Sequence, residues 1–296
     1  MINYTERLTL LMQDIVRRVP TLSFIDVADV LVFGRFGRSS ADGAFATCHC
    51  LSLPASEPGY YFWRDRRSGR LTRRSEWFVT KSPVVSIGPR NLRYLISFAL
   101  PRFCDQSLDR SRKERFYPGA DPWIAKLDTV VHELFHIDPQ MMGIRRIERG
   151  DGTYAANCHS QRFFQQVADM VHAYLASKPH PATYDFLQHD FATLEARHGG
   201  VTGTSFRTFP SFPQRYIERL AEQVRCDSDA DKVMVEPLHV PQQPTRYTED
   251  DLHTRQFLKR TSRKVVRKGL GSQAAGAQIA LRPVGRAQPL DTHNAR

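Results

Sequence analysis

Residues 130–137 read Val130-Val131-His132-Glu133-Leu134-Phe135-His136-Ile137, and the folding of this octet decides how the rest of the chain is read. Ile124, Leu127, Val130, Val131 and Leu134 recur at helical spacing, which predicts an amphipathic helix with a core-facing side. Asp121-Pro122 supplies an N-cap and a first helical residue, and Pro139 stops the helix near Asp138. Residues four apart share a helix face, so the imidazoles of His132 and His136 can reach one metal ion. Two neutral histidine nitrogens suit Zn2+, so a single catalytic zinc ion is the expected cofactor. Glu133 stands beside the first ligand, where a carboxylate can take a proton from a zinc-activated water and pass it to a leaving amine. It is the candidate general acid/base. The same five residues also occur by chance on core helices, but the apolar flanks fit a metal helix that must be held rigidly.

A catalytic zinc needs a third protein ligand and an open fourth position. The metzincin pattern requires Gly and His where this chain has Pro139 and Met142, so that class is excluded. A Glu ligand on a following helix is one alternative, with Glu148 the nearest candidate, but it lies in a Gly-rich connection (Gly143 to Gly152). His159 is better placed, in the first turn of a second long helix starting near Asn157. There Phe163, Val167, Met170, Val171 and Tyr174 form the apolar face, ended by Pro179 and Pro181. If that face packs on the first helix, His159 points at the metal. Candidates for orienting a ligand ring are Asp128, four residues before His132, and Asp138, two after His136. Tyr154 is a candidate for oxyanion contact or for packing.

The octet, followed by Cys158-His159-Ser160-Gln161-Arg162-Phe163-Phe164, resembles the SprT-like zinc metallopeptidases and a related family of phage metallopeptidases. The specific part covers about residues 121–174. The resemblance implies His132, His136 and His159 as zinc ligands and Glu133 as catalytic acid/base. It also implies an α+β, zincin-like fold: a small mixed sheet packed on the metal-bearing helices, with an edge strand able to pair with an extended substrate. The C-terminal zinc ribbon of many SprT-like proteins is missing here, which removes the ground for carrying over their chromatin or crosslink-repair role.

Outward from the motif, Leu8, Leu11, Met12, Ile15, Val16 and Val19 predict an N-terminal helix closed by Pro20. Strands are predicted around Val27–Phe36, Phe45–Leu53 and Asn91–Leu100. A hairpin is predicted where Tyr60–Trp63 and Glu76–Val79 bracket the Arg67–Arg70 turn. Further helical segments are expected around Thr183–Arg197 and Gln214–Val224. This divides the chain into a metallopeptidase domain (1–178), a helical extension packed on it (179–235), and a Pro-containing linker with a basic tail (236–296).

The 296 residues carry 42 Lys and Arg against 31 Asp and Glu, a net charge of +11. From Asp251 to Arg296 ten basic residues face two acidic ones, so this segment supplies +8 of the total. It has few large apolar residues, which predicts disorder from Asp251 onward and, on contact with a partner, a short helix near Leu258–Val266. The tail is therefore the candidate for contact with DNA or another polyanion, and the arginine-rich Trp63–Arg74 hairpin is a lesser one. No run reaches the roughly 18 apolar residues of a bilayer span, and the first 18 residues do not read as a secretory signal. Five scattered cysteines make no disulfide framework and contain no C-x-x-C pair. Cys48-His49-Cys50 falls in a strand candidate and reads as packing. A cytoplasmic protein acting on a protein or peptide substrate, without a membrane partner, is expected. The competing expectation is a nucleic-acid-associated binding protein with a structural or vestigial zinc site.

Overall fold

Asn3 opens the first helix by accepting the Glu6 N–H on its side chain at 3.2 Å, and Pro20 follows its end. In between, α1 (Tyr4–Arg18) buries Leu8, Leu11, Met12, Ile15 and Val16 along one face, as their spacing predicts. The structure is a computed structural model that describes residues 1–38, 43–52, 60–64, 71–109, 111–145, 159–208, 216–219 and 246–259, with 60–64, 71–81 and 216–219 as backbone. The chain divides into Met1–Arg260, which holds all of these residues, and Thr261–Arg296.

The sheet that carries the site has three strands. Tyr94–Pro101 lies at its centre, parallel to Val30–Gly37 on one side and antiparallel to Ala46–Cys50 on the other. All eight residues of the central strand are buried. Tyr94, Ile96, Phe98 and Leu100 alternate into the main core with the helices, while Leu95 joins Phe33, Val85, Leu92, Phe206 and Tyr247 in a second, smaller core. A strand covered on both faces has no polar side to show, which is why this stretch is nearly continuously apolar.

Two helices cover the site. The first, α2 (Ile124–Phe135), is buried over almost its whole length and packs against α3 (Gln161–Ala176). It starts two residues later than Asp121-Pro122 suggests, with Trp123 at the N-cap, because the Asp121 carboxylate accepts the Trp123 indole N–H at 3.3 Å. It ends with His136 at the C-cap, short of Asp138, because Ile137 bridges back to Ile144. For α3 the start moves from Asn157 to Gln161. Ser160 is the N-cap, its hydroxyl accepting the Phe163 N–H at 3.1 Å, so His159 precedes the helix instead of lying in its first turn.

Two expectations for the C-terminal half are corrected. Within the predicted helix Gln214–Val224, Tyr216–Arg219 is a strand, antiparallel to the edge of the Tyr60–Arg64/Leu71–Lys81 hairpin. A helix that short is marginal alone, whereas the strand edge supplies backbone partners. The disorder predicted from Asp251 onward also begins too early. Leu252–Phe257 is a strand, antiparallel to Val201–Phe206, which on its other side pairs in parallel with Ile2–Asn3. Phe257 is buried in the main core, over two glycines. A Cβ at Gly34 would lie 2.6 Å from its ring and one at Gly203 3.5 Å. Burying such a ring contributes about 1.5–3 kcal/mol, enough with six paired residues to order a segment whose composition is polar on average. Leu258 and Lys259 are neither helix nor strand, and the rest of the expected Leu258–Val266 helix lies outside the described residues.

Between these, the Thr183–Arg197 region is two short 3-10 turns followed by α4 (Phe191–His198). The class is α+β, with four α-helices and small sheets among the described residues. No helix among them is long and apolar enough to cross a membrane.

Candidate metal centre

His132 and His136 project from successive turns of α2, and His159 approaches from just before α3. The three Nε2 atoms form a triangle with every side 3.0 Å. A neutral imidazole carries one N–H and one lone pair, so three rings at these separations cannot satisfy one another. A cation among them is a partner all three share, and this trio is the group among the described residues that could hold a metal ion. Burial, with the neighbouring His159 and Arg145, pushes His136 down to about 3. His132 is also far below its ordinary value, first from burial and then from His136, Lys113 and His159; burial lowers His159 too. All three rings are therefore held neutral at physiological pH, the form that binds metals.

Aromatic packing fixes the ring planes. Fully buried Phe163 lies 5.0 Å from the rings of both His132 and His136 and 5.4 Å from that of His159, and Phe164 stacks on His159 at 5.8 Å. Arg145 holds the end of α2. Its Nε donates to the Phe135 carbonyl at 2.7 Å, its backbone N–H donates to the His136 carbonyl at 2.7 Å, and its guanidinium lies 4.3 Å over the Phe135 ring.

Glu133 is buried beside the three histidines in one cleft of about 410 Å³. One wall is Ala44–Cys48, the other includes Thr129, His132, His136 and His159, and Lys113 and Ile144 also line it. Ala46–Cys50 is an edge strand whose antiparallel ladder uses alternate residues: Ala99 donates to the Phe45 carbonyl and Leu51 to the Arg93 carbonyl, each at 2.8 Å. The backbone N–H and C=O groups of Ala46, Cys48 and Cys50 therefore face away from the central strand. The Cys48 N–H donates to the Glu133 carboxyl. Burial raises that carboxyl to about 7, against the smaller opposing pulls of this hydrogen bond, Lys113 and Arg35.

The orienting residues sort differently from their sequence positions. Asp128 is buried, accepts the Tyr117 hydroxyl at 2.6 Å and pairs with the Lys113 ammonium at 2.5 Å, while the buried Nδ1 of His132 has no partner among the described residues. Asp138 accepts the Gln140 N–H at 2.9 Å and so shapes the turn after α2. Tyr154, Glu148 and Cys158 lie outside the described residues. In the Cys48-His49-Cys50 strand, His49 Nε2 lies 3.3 Å from the Ser97 hydroxyl, away from the metal trio. Lys113, Tyr117, Arg145 and the Cys48 backbone were not singled out from the sequence for these roles. No family model matches the chain, and no curated protein or solved structure matches it.

Proposed function

We propose that the protein is a zinc-dependent metallopeptidase of the SprT-like kind with a zincin-like fold, using His132, His136 and His159 as ligands and Glu133 as general acid/base. The observation that carries this reading is the convergence of three neutral Nε2 atoms beside a cleft holding a buried carboxyl. Nitrogens around a tetrahedral zinc stand about 3.3 Å apart, so the trio needs to open by only a few tenths of an ångström. Zinc bound there supplies Lewis acidity, which acidifies water and polarises a carbonyl oxygen. Glu133, a buried carboxyl held in the cleft by the Cys48 N–H, is placed to accept a proton and to return it. It takes the proton of the attacking water and delivers it to the amine nitrogen as the C–N bond breaks. Cys48 orients the carboxyl through its N–H, and the outward groups of Ala46, which lines the cleft, offer ladder bonds to an extended peptide.

The competing reading, a nucleic-acid-associated protein with a structural metal, has no use for Glu133. A structural zinc is closed by a fourth protein ligand, whereas this trio borders a cleft. Bound zinc and cleavage of an unstructured protein, measured in wild type, Glu133→Gln and His159→Ala, decide between them. Glu133→Gln keeps the metal and loses cleavage, and His159→Ala loses metal affinity. Wild type that fails to bind stoichiometric zinc after supplementation overturns the proposal.

The basic tail is proposed as an accessory polyanion contact of a cytoplasmic enzyme. Its test must spare the Leu252–Phe257 strand, so the chain is cut after Lys259. Loss of DNA affinity, with a shallower dependence on salt, supports the contact; unchanged binding removes it.

A further inference from the structure

Away from the three histidines, the cleft is lined mostly by small or apolar side chains. Ala44, Phe45, Ala46 and Cys48 come from the edge-strand wall, and Ile144 from the segment after α2. The acidic and basic side chains that join them are Glu133 and Lys113. Lys113 brings its methylene stem and no free donor. Its ammonium meets Asp128 at 2.5 Å and donates to the Thr129 hydroxyl at 2.6 Å and to the Ala125 carbonyl at 3.3 Å, so each of its three N–H groups has an acceptor. A cleft of about 410 Å³ with apolar walls and few polar groups suits an uncharged, apolar ligand group.

The strand geometry says which part of an extended peptide enters it. Ala46 is buried in the main core and Cys48 packs against that core, so both side chains stand on the helix side of the sheet. Residues side by side on paired strands share a face, with Cβ atoms about 4.5–5.5 Å apart. A peptide residue bonded to the outward backbone groups of Ala46 therefore sends its side chain to the helix side, where Ala46 itself fills only the space of a methyl group. Cys48, whose N–H meets Glu133, is two residues further along the strand, about 7 Å away. The side chain so placed lies within two residues of the carbonyl on which Glu133 acts. Each further carbon removed from water there gains about fourfold in affinity. A carboxylate in the same place has Glu133 beside it and finds the Lys113 donors already taken.

We propose that this cleft is a subsite for one large apolar side chain, of the Leu or Phe kind, within two residues of the bond cleaved, and that Ala46 sets its size. The proposal rests on the peptidase reading above, and its test separates the two. Fluorescent peptides of polar, extended sequence that differ only by Ala, Leu, Phe, Glu or Lys at one position are titrated into zinc-loaded Glu133→Gln protein. The same peptides are offered to wild type, and mass spectrometry locates the bond cut.

The Leu peptide is expected to bind about tenfold tighter than the Ala peptide, because its three further carbons are only partly removed from water in an open cleft. Ala46→Val removes most of the Leu and Phe advantage and leaves the affinity of the Ala peptide unchanged. If Ala46→Val fails to fold, Ile144→Ala carries the test, because Ile144 bridges to Ile137 through its backbone; the widened cleft moves the preference from Leu to Phe. Equal binding of the Ala and Leu peptides overturns the subsite, as does tighter binding or faster cleavage of the Glu or Lys peptide. A Leu preference that neither variant alters overturns its assignment to this cleft. Cleavage by wild type without preference removes the subsite alone, whereas a Leu preference in binding without cleavage keeps the subsite and removes the peptidase reading.

Discussion

Two sides of α2 each bury a carboxyl group, and their surroundings differ. Asp128 meets the Lys113 ammonium at 2.5 Å and takes the Tyr117 hydroxyl at 2.6 Å, so its charge is matched where it lies. Glu133 is as deeply buried but has one backbone N–H, from Cys48, and no ion pair among the described residues; burial dominates and raises it to about 7. One helix thus carries a fixed charge that ties a loop to the core and a carboxyl that can exchange its proton near neutrality. The difference comes from the loop holding Lys113 and Tyr117: although Lys113 also lines the cleft, its ammonium closes on Asp128 and the Tyr117 hydroxyl joins it there, which leaves Glu133 the Cys48 N–H.

The largest expected effect tests this contrast at the site. Glu133→Gln should lower kcat/KM for peptide cleavage by about a thousandfold while zinc content and the urea midpoint hardly move. Asp128→Asn should do the reverse, losing about 3 kcal/mol of stability because a half-buried Lys113 ammonium is left unmatched, with cleavage by the folded fraction changed less than about tenfold. Urea denaturation together with steady-state kinetics on both variants reads this. If Asp128→Asn removes activity as completely as Glu133→Gln, the contrast is broken, and Asp128 acts on the reacting groups.

A smaller effect sharpens the structural half. Combining Asp128→Asn with Lys113→Met removes both charges, so the double variant should be more stable than the two single losses summed. The coupling is about 1–3 kcal/mol. Strict additivity in the urea curves would mean that solvent screens the pair and that the Tyr117 hydroxyl alone holds Asp128.

The contrast also explains what could be read from the chain before its fold was known. His132, Glu133 and His136 are legible because helical period and ligand spacing are both local. His159 follows from the Ser160 and Phe163 that frame it, although its place before the N-cap depends on which residue caps the helix. The partners that distinguish Asp128 from Glu133 are not local. Lys113 and Tyr117 come from a loop without a period, and Cys48 contributes a backbone N–H, which no side chain announces. Phe257 was hidden for a related reason. Its pocket is made by the absence of side chains at Gly34 and Gly203, far away in sequence. Averaging the composition over 251–296 merged a paired strand with the basic segment after it.

Lys126, near the start of α2, falls between the two carboxyls. Its ammonium is buried and donates to the His189 carbonyl at 2.7 Å, and burial lowers it from 10.5 to about 8 against the pull of Cys104, Asp105 and Asp190. The two carboxylates have other work: Asp105 accepts the Phe191 N–H and pairs with Lys259, and Asp190 caps α4 through the Thr193 N–H. Between pH 8 and 10.5 the unfolded chain therefore holds a proton on this lysine that the folded chain has released. Stability contributed by this group must rise with pH across that window and be flat below it. Buried tyrosines and the Cys104 thiol, all raised, act with the opposite sign, so the measurement is the difference between wild type and Lys126→Met. Wild type should gain about 2 kcal/mol on the variant between pH 8 and 10.5 in urea denaturation. A flat difference would show that Asp105 or Asp190 reaches the ammonium closely enough to match it. Lys126 would then belong with Asp128, as a charge whose partner fixes it, in contrast to Glu133, where burial outweighs the pulls of Cys48, Lys113 and Arg35.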